Sequence, residues 1–233
     1  MSTSPAARRP PPRETLPETG VAERVAERIR DDIRHGRLAP GQRLTEAELA
    51  ERLDASRSPI REALRRLEAD GVLSFEKHRG VSVRKLSRDD FVHLLEVREV
   101  LEGLAGRLVA GMPGAVRAIA ELGRLFGKMA VAVRRGDVER YNLSLYIDFH
   151  SRLITAGENP VLLRQWQQLQ LDVLREQFRP IIDLPLVKVA HREHADLVAA
   201  LEAHDPQRAE AAARQHIAHF TEHIRRLPDR TFT

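Results

Sequence analysis

The sequence has no cysteine and no long apolar run, and both absences limit what the protein can be. None of the 233 residues is Cys, which excludes disulfides, thiolate metal ligands and a cysteine nucleophile. This usage fits the cytoplasm, where disulfides are rare. No run of about 18 apolar residues occurs, so we expect no membrane span. The N-terminus lacks the apolar segment of a secretory signal. We therefore expect a cytoplasmic protein.

Positive charge is concentrated in the N-terminal part of the chain. Residues 1–88 carry 19 Lys and Arg against 14 Asp and Glu, whereas the remainder carries 19 against 20. Eight of the ten histidines lie beyond residue 88. These differences indicate two segments with different tasks, and the basic one suits contact with nucleic acid.

A helix-turn-helix pattern begins near residue 43. Thr45 and Glu48 form a T-x-x-E capping box, which predicts the start of a short helix. After a turn, Ser56 or Ser58 is positioned to cap a second helix. The second helix has an apolar stripe at helical spacing, formed by Ile60, Ala63, Leu64 and Leu67.

A β-hairpin is predicted directly after the second helix. Gly71 is placed to end that helix. Two β-prone runs, 72–75 and 80–83, flank the polar turn 76–79. Helix, turn, helix and hairpin together predict a winged helix-turn-helix.

The second helix carries a row of arginines. Arg57, Arg61 and Arg65 recur at every fourth residue, beside the apolar stripe. Such a helix suits a DNA major groove, where Arg can bond to guanine in bidentate fashion. The predicted wing adds basic side chains for phosphate contacts, namely Lys77, His78 and Arg79. A merely solvated basic face is the alternative, but the capped helices and the basic wing favour DNA binding.

The region from residue 33 to residue 83 resembles the DNA-binding domain of GntR-superfamily bacterial transcription regulators. The resemblance rests on the runs H-G-R-L-x-P-G-x-R-L, S-R-S-P-I-R-E-A-L-R-R-L and R-G-V-S-V. It implies that DNA is contacted by Arg57, Ser58, Arg61, His78, Arg79 and Gly80. Some members carry an Arg in the preceding helix where this chain has Ala47, so that contact is not expected.

Beyond Arg88 the pattern is that of long helices with a negligible β signal. We predict six, over about 88–110, 115–135, 138–156, 160–180, 186–203 and 206–227. The fold class is therefore mainly α, an N-terminal winged helix-turn-helix domain followed by an all-helical antiparallel bundle. The predicted boundaries are a disordered arm over 1–18, the winged domain over 19–86, the bundle over 87–228 and a tail over 229–233.

The helical part resembles the FCD ligand-sensing domain of the FadR-type subgroup. The stretches that carry this resemblance are EVREVLEGLAGRL, DFHSRLITAGENPVL and EHADLVAALEAHDPQRAEAAARQHI. The resemblance implies a small organic acid as effector and a role in dimerisation.

Three histidines fall on different predicted helices of the bundle. From spacing alone, His150, His194 and His216 are better explained by solvated or singly hydrogen-bonded side chains than by a metal site. The resemblance implies that they bind a divalent transition metal such as Zn, Ni, Mn or Fe. The carboxylate that metal-binding members place four residues before the first histidine is replaced by Tyr146. Asp148 lies about 200° around the helix from His150 and cannot simply substitute.

Arg98 lies close to the apolar side of the first bundle helix. A buried cation needs an anionic partner. One answer is Glu102, one turn further on, and the other is an effector carboxylate held in bidentate fashion. Several members of the family use an Arg at this place, which favours the effector. The hydroxyl of Tyr146 is expected to contribute to the same cavity.

Together these features predict a transcriptional repressor controlled by an effector. As a homodimer it would bind a palindromic operator in double-stranded DNA and associate with the nucleoid. One alternative is an architectural DNA-binding protein whose helical part only dimerises. Another is a three-histidine metalloenzyme, but the sequence offers no well-placed general base and no G-x-S-x-G or H-E-x-x-H motif.

Overall fold

A computed structural model describes residues 18–77 and 80–232 of the chain. The predicted N-terminal arm therefore lies almost entirely outside the described residues, and so do His78 and Arg79 at the tip of the wing.

The N-terminal domain is a winged helix-turn-helix. Its elements are α1 (Glu18–Arg34), β1 (Arg43–Leu44), α2 (Glu46–Leu53), α3 (Arg57–Ala69), β2 (Leu73–Glu76) and β3 (Gly80–Val83). The strands form an antiparallel sheet in the order β1-β3-β2, with Leu73 opposite Val83 and Leu44 opposite Val81. The two residues of β1 were not predicted, because their pairing with β3 is not a local signal.

The predicted ends of the helices in the winged domain are confirmed. The hydroxyl of Thr45 accepts a bond from the backbone N–H of Glu48 at 3.3 Å. Ser56, rather than Ser58, is the N-cap of α3, without a side-chain bond. Gly71 follows α3 with a φ of 72°, where a residue with a Cβ would be strained. The apolar stripe of α3 is buried as predicted.

The C-terminal domain is helical. It contains α4 (Arg88–Gly111), α5 (Val116–Arg135), α6 (Val138–Arg140), α7 (Tyr146–Ala156), α8 (Pro160–Gln168), α9 (Leu171–Leu174), α10 (Leu184–Glu202) and α11 (Pro206–Arg226). A π-helical turn, Tyr141–Leu145, joins α6 to α7, and 3-10 segments cover Arg175–Ile181 and Asp229–Thr231. None of the helices within residues 18–77 and 80–232 is long and apolar enough to cross a membrane.

Helices α4 and α11 pack closely together at the centre of the bundle. Ser87 and Asp90 form a complete capping box at the start of α4. Gly106 permits the close approach, because a Cβ there would lie 2.9 Å from the carbonyl oxygen of Ala209. Substituting this glycine would therefore force the two helices apart.

The prediction of one long fourth helix to Pro180 was wrong. Helix α8 ends at Gln168, and Gln170 adopts a φ of 50° that breaks the chain direction. The short α9 and a 3-10 segment that contains Pro180 follow. Helix α10 begins at Leu184 rather than residue 186, because Asp183 caps it by accepting from the N–H of Leu186 at 2.9 Å.

The segment 171–181 joins the two domains. Val173 of α9 is fully buried in the apolar core of the winged domain, against α1. The side chain of Gln177 bonds to both the N–H and the carbonyl of Leu86 in the interdomain connection, at 2.7 and 2.8 Å. Gly36 lies so near this segment that a Cβ there would be 2.9 Å from Oε1 of Glu176. The two domains therefore share packed surface.

Candidate DNA interface and candidate metal centre

The outer side of α3 presents the predicted recognition residues to solvent. Arg57, Ser58, Arg61 and Arg65 are all exposed, whereas Pro59 and Ile60 beside them are buried. The burial of the apolar stripe fixes this orientation, so the arginine row can enter a groove without any rearrangement of the domain.

The side chain of Arg61 on α3 is hydrogen-bonded to Glu46, the first residue of α2. Its Nε donates to both carboxylate oxygens of Glu46 at 2.8 Å, and Arg61 keeps the pKa of Glu46 below its ordinary value. More than half of the Arg61 side chain remains exposed, so its Nη groups remain accessible to DNA. In the wing, Lys77 is exposed and Gly80 begins β3 with a φ of 82°, while His78 and Arg79 lie outside the described residues.

Three histidines from different helices converge in the helical domain. His150 comes from α7, His194 from α10 and His216 from α11, and all three are buried. One nitrogen from each lies within 4.8 Å of the others. The Nε2 atoms of His150 and His194 are 3.2 Å apart. Two nitrogens bound to one tetrahedral zinc ion would be about 3.3 Å apart, so this one pair has the spacing of two ligands of a shared metal, which is also the spacing of a hydrogen bond between the two rings.

The opposite nitrogen of each ring is anchored to an acceptor. The partners of Nδ1 are Glu102 for His150 at 2.6 Å, the carbonyl of Ala190 for His194 at 2.6 Å and Glu193 for His216 at 2.8 Å. A carboxylate or carbonyl oxygen can only accept, so Nδ1 carries the proton and each Nε2 presents a lone pair. Metal-ligating histidines in proteins are commonly oriented in this way.

Burial keeps the three imidazoles neutral. Desolvation lowers the pKa of His150 and His194 well below the usual value and that of His216 to about 3. The Nε2 atom of His216 has no hydrogen-bond partner among the described residues. Neutral, preoriented nitrogens with lone pairs directed to one point can hold a divalent transition metal.

Tyr146 occupies the place where a carboxylate would complete the ligand set. Its ring lies 4.2 Å from that of His150, with the guanidinium carbons of Arg98 and Arg175 at 5.3 and 4.1 Å from its centroid. Asp148 is exposed, in agreement with the expectation that it cannot substitute. The protein therefore offers three neutral candidate ligands. The carboxylates of Glu102 and Glu193 accept hydrogen bonds from Nδ1 of His150 and His216.

Arg98 is paired within the protein. Its Nε donates to Oε1 of Glu102 at 2.5 Å, and both side chains are buried. Burial alone would lower the pKa of Arg98, but the charges and hydrogen bonds of Glu102 and Tyr146 together raise it above its ordinary value. Of the two partners expected for Arg98, the structure therefore contains Glu102. Arg98 already has an anionic partner within the protein.

Arg175 is a site residue that the sequence reasoning missed. It donates to Oδ1 of Asn142, a neutral group, while its Nη1 is buried without a partner among the described residues. Burial lowers its pKa to about 10. Arg175 lines a cavity of about 70 Å³ together with Tyr146 and His216. No local sequence pattern identified Arg175, because the direction of its side chain depends on the interruption of the helix at Gln170.

A winged helix-turn-helix joined to a helical domain is the architecture of a class of protein, the two-domain DNA-binding transcription regulators. The chain matches two family models, "Bacterial regulatory proteins, gntR family" over residues 21–83 and "FCD domain" over residues 93–219. It belongs to the GntR family of regulators that carry an FCD domain. The family consists of transcriptional regulators, not enzymes.

Named relatives agree with this assignment. The chain is 37% identical, over 87% of its length and 88% of the relative's, to a probable D-xylose utilization operon transcriptional repressor of Paenarthrobacter nicotinovorans. It is 25% identical, over 91% and 92%, to the repressor RspR of Escherichia coli K12. Its fold resembles a putative GntR regulator from Rhodococcus sp. RHA1, with a TM-score of 0.74, 24% identity and coverage of 88% and 97%.

Proposed function

We propose that this regulator is a repressor whose operator affinity is set by occupancy of the three-histidine site and the adjoining cavity. The observation that carries the proposal is the convergence of three buried histidines, with one nitrogen of each within 4.8 Å of the others and each Nδ1 bonded to an acceptor, in the domain attached to the winged helix. The Nε2 atom of His216 is buried without a hydrogen-bond partner among the described residues, and such an atom is costly unless something binds to it.

The proposed occupant of the histidines is a divalent transition metal, for which zinc is the simplest probe. The metal would act as a fixed positive centre that binds an anionic effector; the chain's own residues set the tautomers and exclude bulk water. Glu102 and Glu193 would compensate part of the added charge through the imidazoles.

The segment 171–181 gives the site a physical route to the DNA-binding domain. Arg175 lies at the cavity, and Val173, two residues earlier, is fully buried in the winged-domain core. A ligand that pulls on Arg175 would shift α9 against α1. The two domains would then have two arrangements, with α9 shifted or not shifted against α1. A ligand that binds one arrangement more tightly than the other would change the affinity for the operator.

We further propose that the repressor acts as a homodimer. Val97 and Val100 on α4 are half-exposed, 50% and 55%, and lie beside the partly buried Leu101 and Leu104. An exposed apolar stripe of this kind suits self-association. A twofold dimer would place two α3 helices on a palindromic operator.

The DNA-binding part is tested by selecting binding sites from a random-sequence duplex pool and measuring affinity by fluorescence anisotropy. Arg61→Ala is expected to weaken binding roughly 5- to 150-fold and to relax selection at one base pair. Arg124→Ala, an exposed arginine on α5, is the control and is expected to bind like wild type. Equal affinity of wild type and Arg61→Ala would contradict the proposed interface.

The metal part is tested by calorimetric titration of Zn²⁺ into chelator-treated protein. We expect one site per chain in wild type and none in His194→Ala. His93→Ala, an exposed histidine on α4, is expected to bind zinc normally. No binding to wild type would remove the metal from the proposal and leave the cavity as the effector site.

A further inference from the structure

Phe75 is an exposed aromatic side chain on the hairpin of the winged domain. Strand side chains alternate between the two faces of a sheet, and Phe75 follows two residues after Leu73, which is buried in the domain core. Its partner across the hairpin is Val81, two residues before the buried Val83. The core-facing side of the hairpin therefore continues past the enclosed core and ends in a phenyl ring that is 61% exposed.

A groove of about 450 Å³ separates this ring from the recognition helix α3. Phe75 and Val81 form the side of the groove that belongs to the hairpin. The opposite side is formed by one apolar and four charged side chains, namely Leu64, Glu46, Arg61, Arg65 and Glu68. A single exposed apolar residue is ordinary, but this one faces a row of arginines that is expected to bind DNA.

The charges in this groove favour an anion at one end. Both carboxylate oxygens of Glu46 accept from Nε of Arg61 at 2.8 Å, so the charge of Glu46 is balanced. The guanidinium of Arg65 is exposed and has no hydrogen bond or ion pair within residues 18–77 and 80–232. Glu68 lies almost a full turn further on, one residue before α3 ends at Ala69. A phosphate is therefore attracted to the Arg65 end and repelled from the Glu68 end.

The groove lies between two elements that are expected to contact neighbouring grooves of a duplex. Arg61 on the outer side of α3 is positioned for the major groove, and Lys77 is exposed at the end of β2, near the tip of the wing. A protein that spans both positions crosses the sugar-phosphate strand between the two DNA grooves. That strand alternates between an anionic phosphate and a deoxyribose with an apolar face, which matches a guanidinium beside a phenyl ring.

We propose that this groove holds one sugar-phosphate strand of the operator, with the ring of Phe75 packed on a deoxyribose and the guanidinium of Arg65 on an adjacent phosphate. Phe75 then adds affinity without reading sequence, because the sugar is the same at every base pair. The inference rests on the proposed function, since it extends the DNA contact of α3 to the inner side of the wing.

The first test is hydroxyl-radical footprinting of the full-length protein on a selected operator duplex, at saturating protein. These radicals cleave DNA by removing hydrogen from exposed deoxyribose, so a sugar that Phe75 covers is protected. Phe75→Ala is expected to restore cleavage at about one sugar in each half-site, beside the bases that α3 contacts. Protection of guanine N7 from methylation in the major groove is expected to remain, because the arginine row is unchanged.

Affinity and its salt dependence separate the two contacts. Phe75→Ala is expected to weaken binding to the operator and to an unrelated duplex by the same factor, roughly 5- to 30-fold, with an unchanged salt slope. Arg65→Gln is expected to weaken both and to lower the slope by the share of about one phosphate contact. Val161→Ala and Arg164→Gln, both exposed on α8, are the matched controls and should bind both duplexes as wild type does.

The inference is overturned if Phe75→Ala keeps wild-type affinities and sugar protection, or if it loses DNA binding together with the dimer, which would assign Phe75 to contact with a second copy of the chain. Phe75→Leu retains part of the apolar contact, is expected to lie between wild type and Phe75→Ala, and decides the test if the alanine variant does not fold. In the overturned case, a weakened Arg61→Ala would leave the proposed function standing. A wild type that selects no operator would instead contradict the proposed function itself.

Discussion

At the scale of single residues, the three imidazoles depend on the acceptors behind them. His216 and His150 each donate through Nδ1 to a carboxylate, and His194 donates to a backbone carbonyl. Without such an acceptor the ring could rotate or take up the other tautomer, and its Nε2 would no longer be directed to the common point. In the proposed metal site the carboxylates would therefore affect the metal affinity without being ligands themselves.

Removal of the acceptor behind His216 tests this dependence. Glu193→Ala is expected to weaken zinc binding roughly 10- to 100-fold, because the ring loses its orientation and part of its basicity. The measurement is competition with a chromophoric chelator.

The control for that substitution is Glu202→Ala, an exposed glutamate on the same helix, α10. It should bind zinc as wild type does. Equal zinc affinity of Glu193→Ala and wild type would mean that Glu193 does not orient the site.

At the scale of elements, the helices with strong local caps could be predicted from the sequence. Ser87 with Asp90, Asn159 before Pro160 and Asp205 before Pro206 cap helices that begin close to the predicted starts, because capping involves neighbours in sequence. The three histidines could be placed on their helices for the same reason. Their convergence was implied by the family resemblance and not by spacing.

The segment from Gln168 to Asp183 could not be predicted, and its residues are held by tertiary contacts. Phe178 is fully buried and stacks on Phe91 at 3.9 Å. These contacts favour a 3-10 path over the continuous helix that local propensity suggested. Arg175 was missed because it lies on this path, and the π-helical turn that positions Asn142 carries no sequence signal of its own.

Shortening the side chain of Val173 tests whether α9 is part of the winged-domain core. Val173→Ala is expected to lower the free energy of unfolding by roughly 2 kcal/mol, through lost burial and a small cavity. Urea unfolding followed by circular dichroism measures it.

Val161→Ala is the matched control, since Val161 is 55% exposed on the preceding helix. A change within about 0.5 kcal/mol is expected there. If the two variants unfold alike, α9 is not tightly packed against α1, and the proposed route from the cavity to the DNA-binding domain loses its basis.

At the scale of the whole molecule, the proposed repressor binds one operator with two copies of the chain. Val97→Asp combined with Val100→Asp is expected to convert the dimer to monomer, because charges would replace the apolar stripe of α4. Analytical ultracentrifugation measures the change, and operator affinity should fall with it.

The single variant Val116→Asp serves as the control for that pair. Val116 is 64% exposed at the start of α5, away from the stripe, so the variant should remain dimeric. A monomeric wild type, or a double variant that stays dimeric, would contradict the proposed interface.

The proposed function depends above all on coupling between the domains: a metal or effector bound in the helical domain changes the affinity of the winged domain for DNA. The most direct test is the dissociation constant for a selected operator duplex, measured by anisotropy on chelator-treated and zinc-loaded protein, for wild type and His194→Ala. We predict a difference of at least about fivefold between the two forms of wild type, as expected for an allosteric coupling, and none for His194→Ala. Identical constants for wild type with one zinc ion bound per chain would contradict the claim.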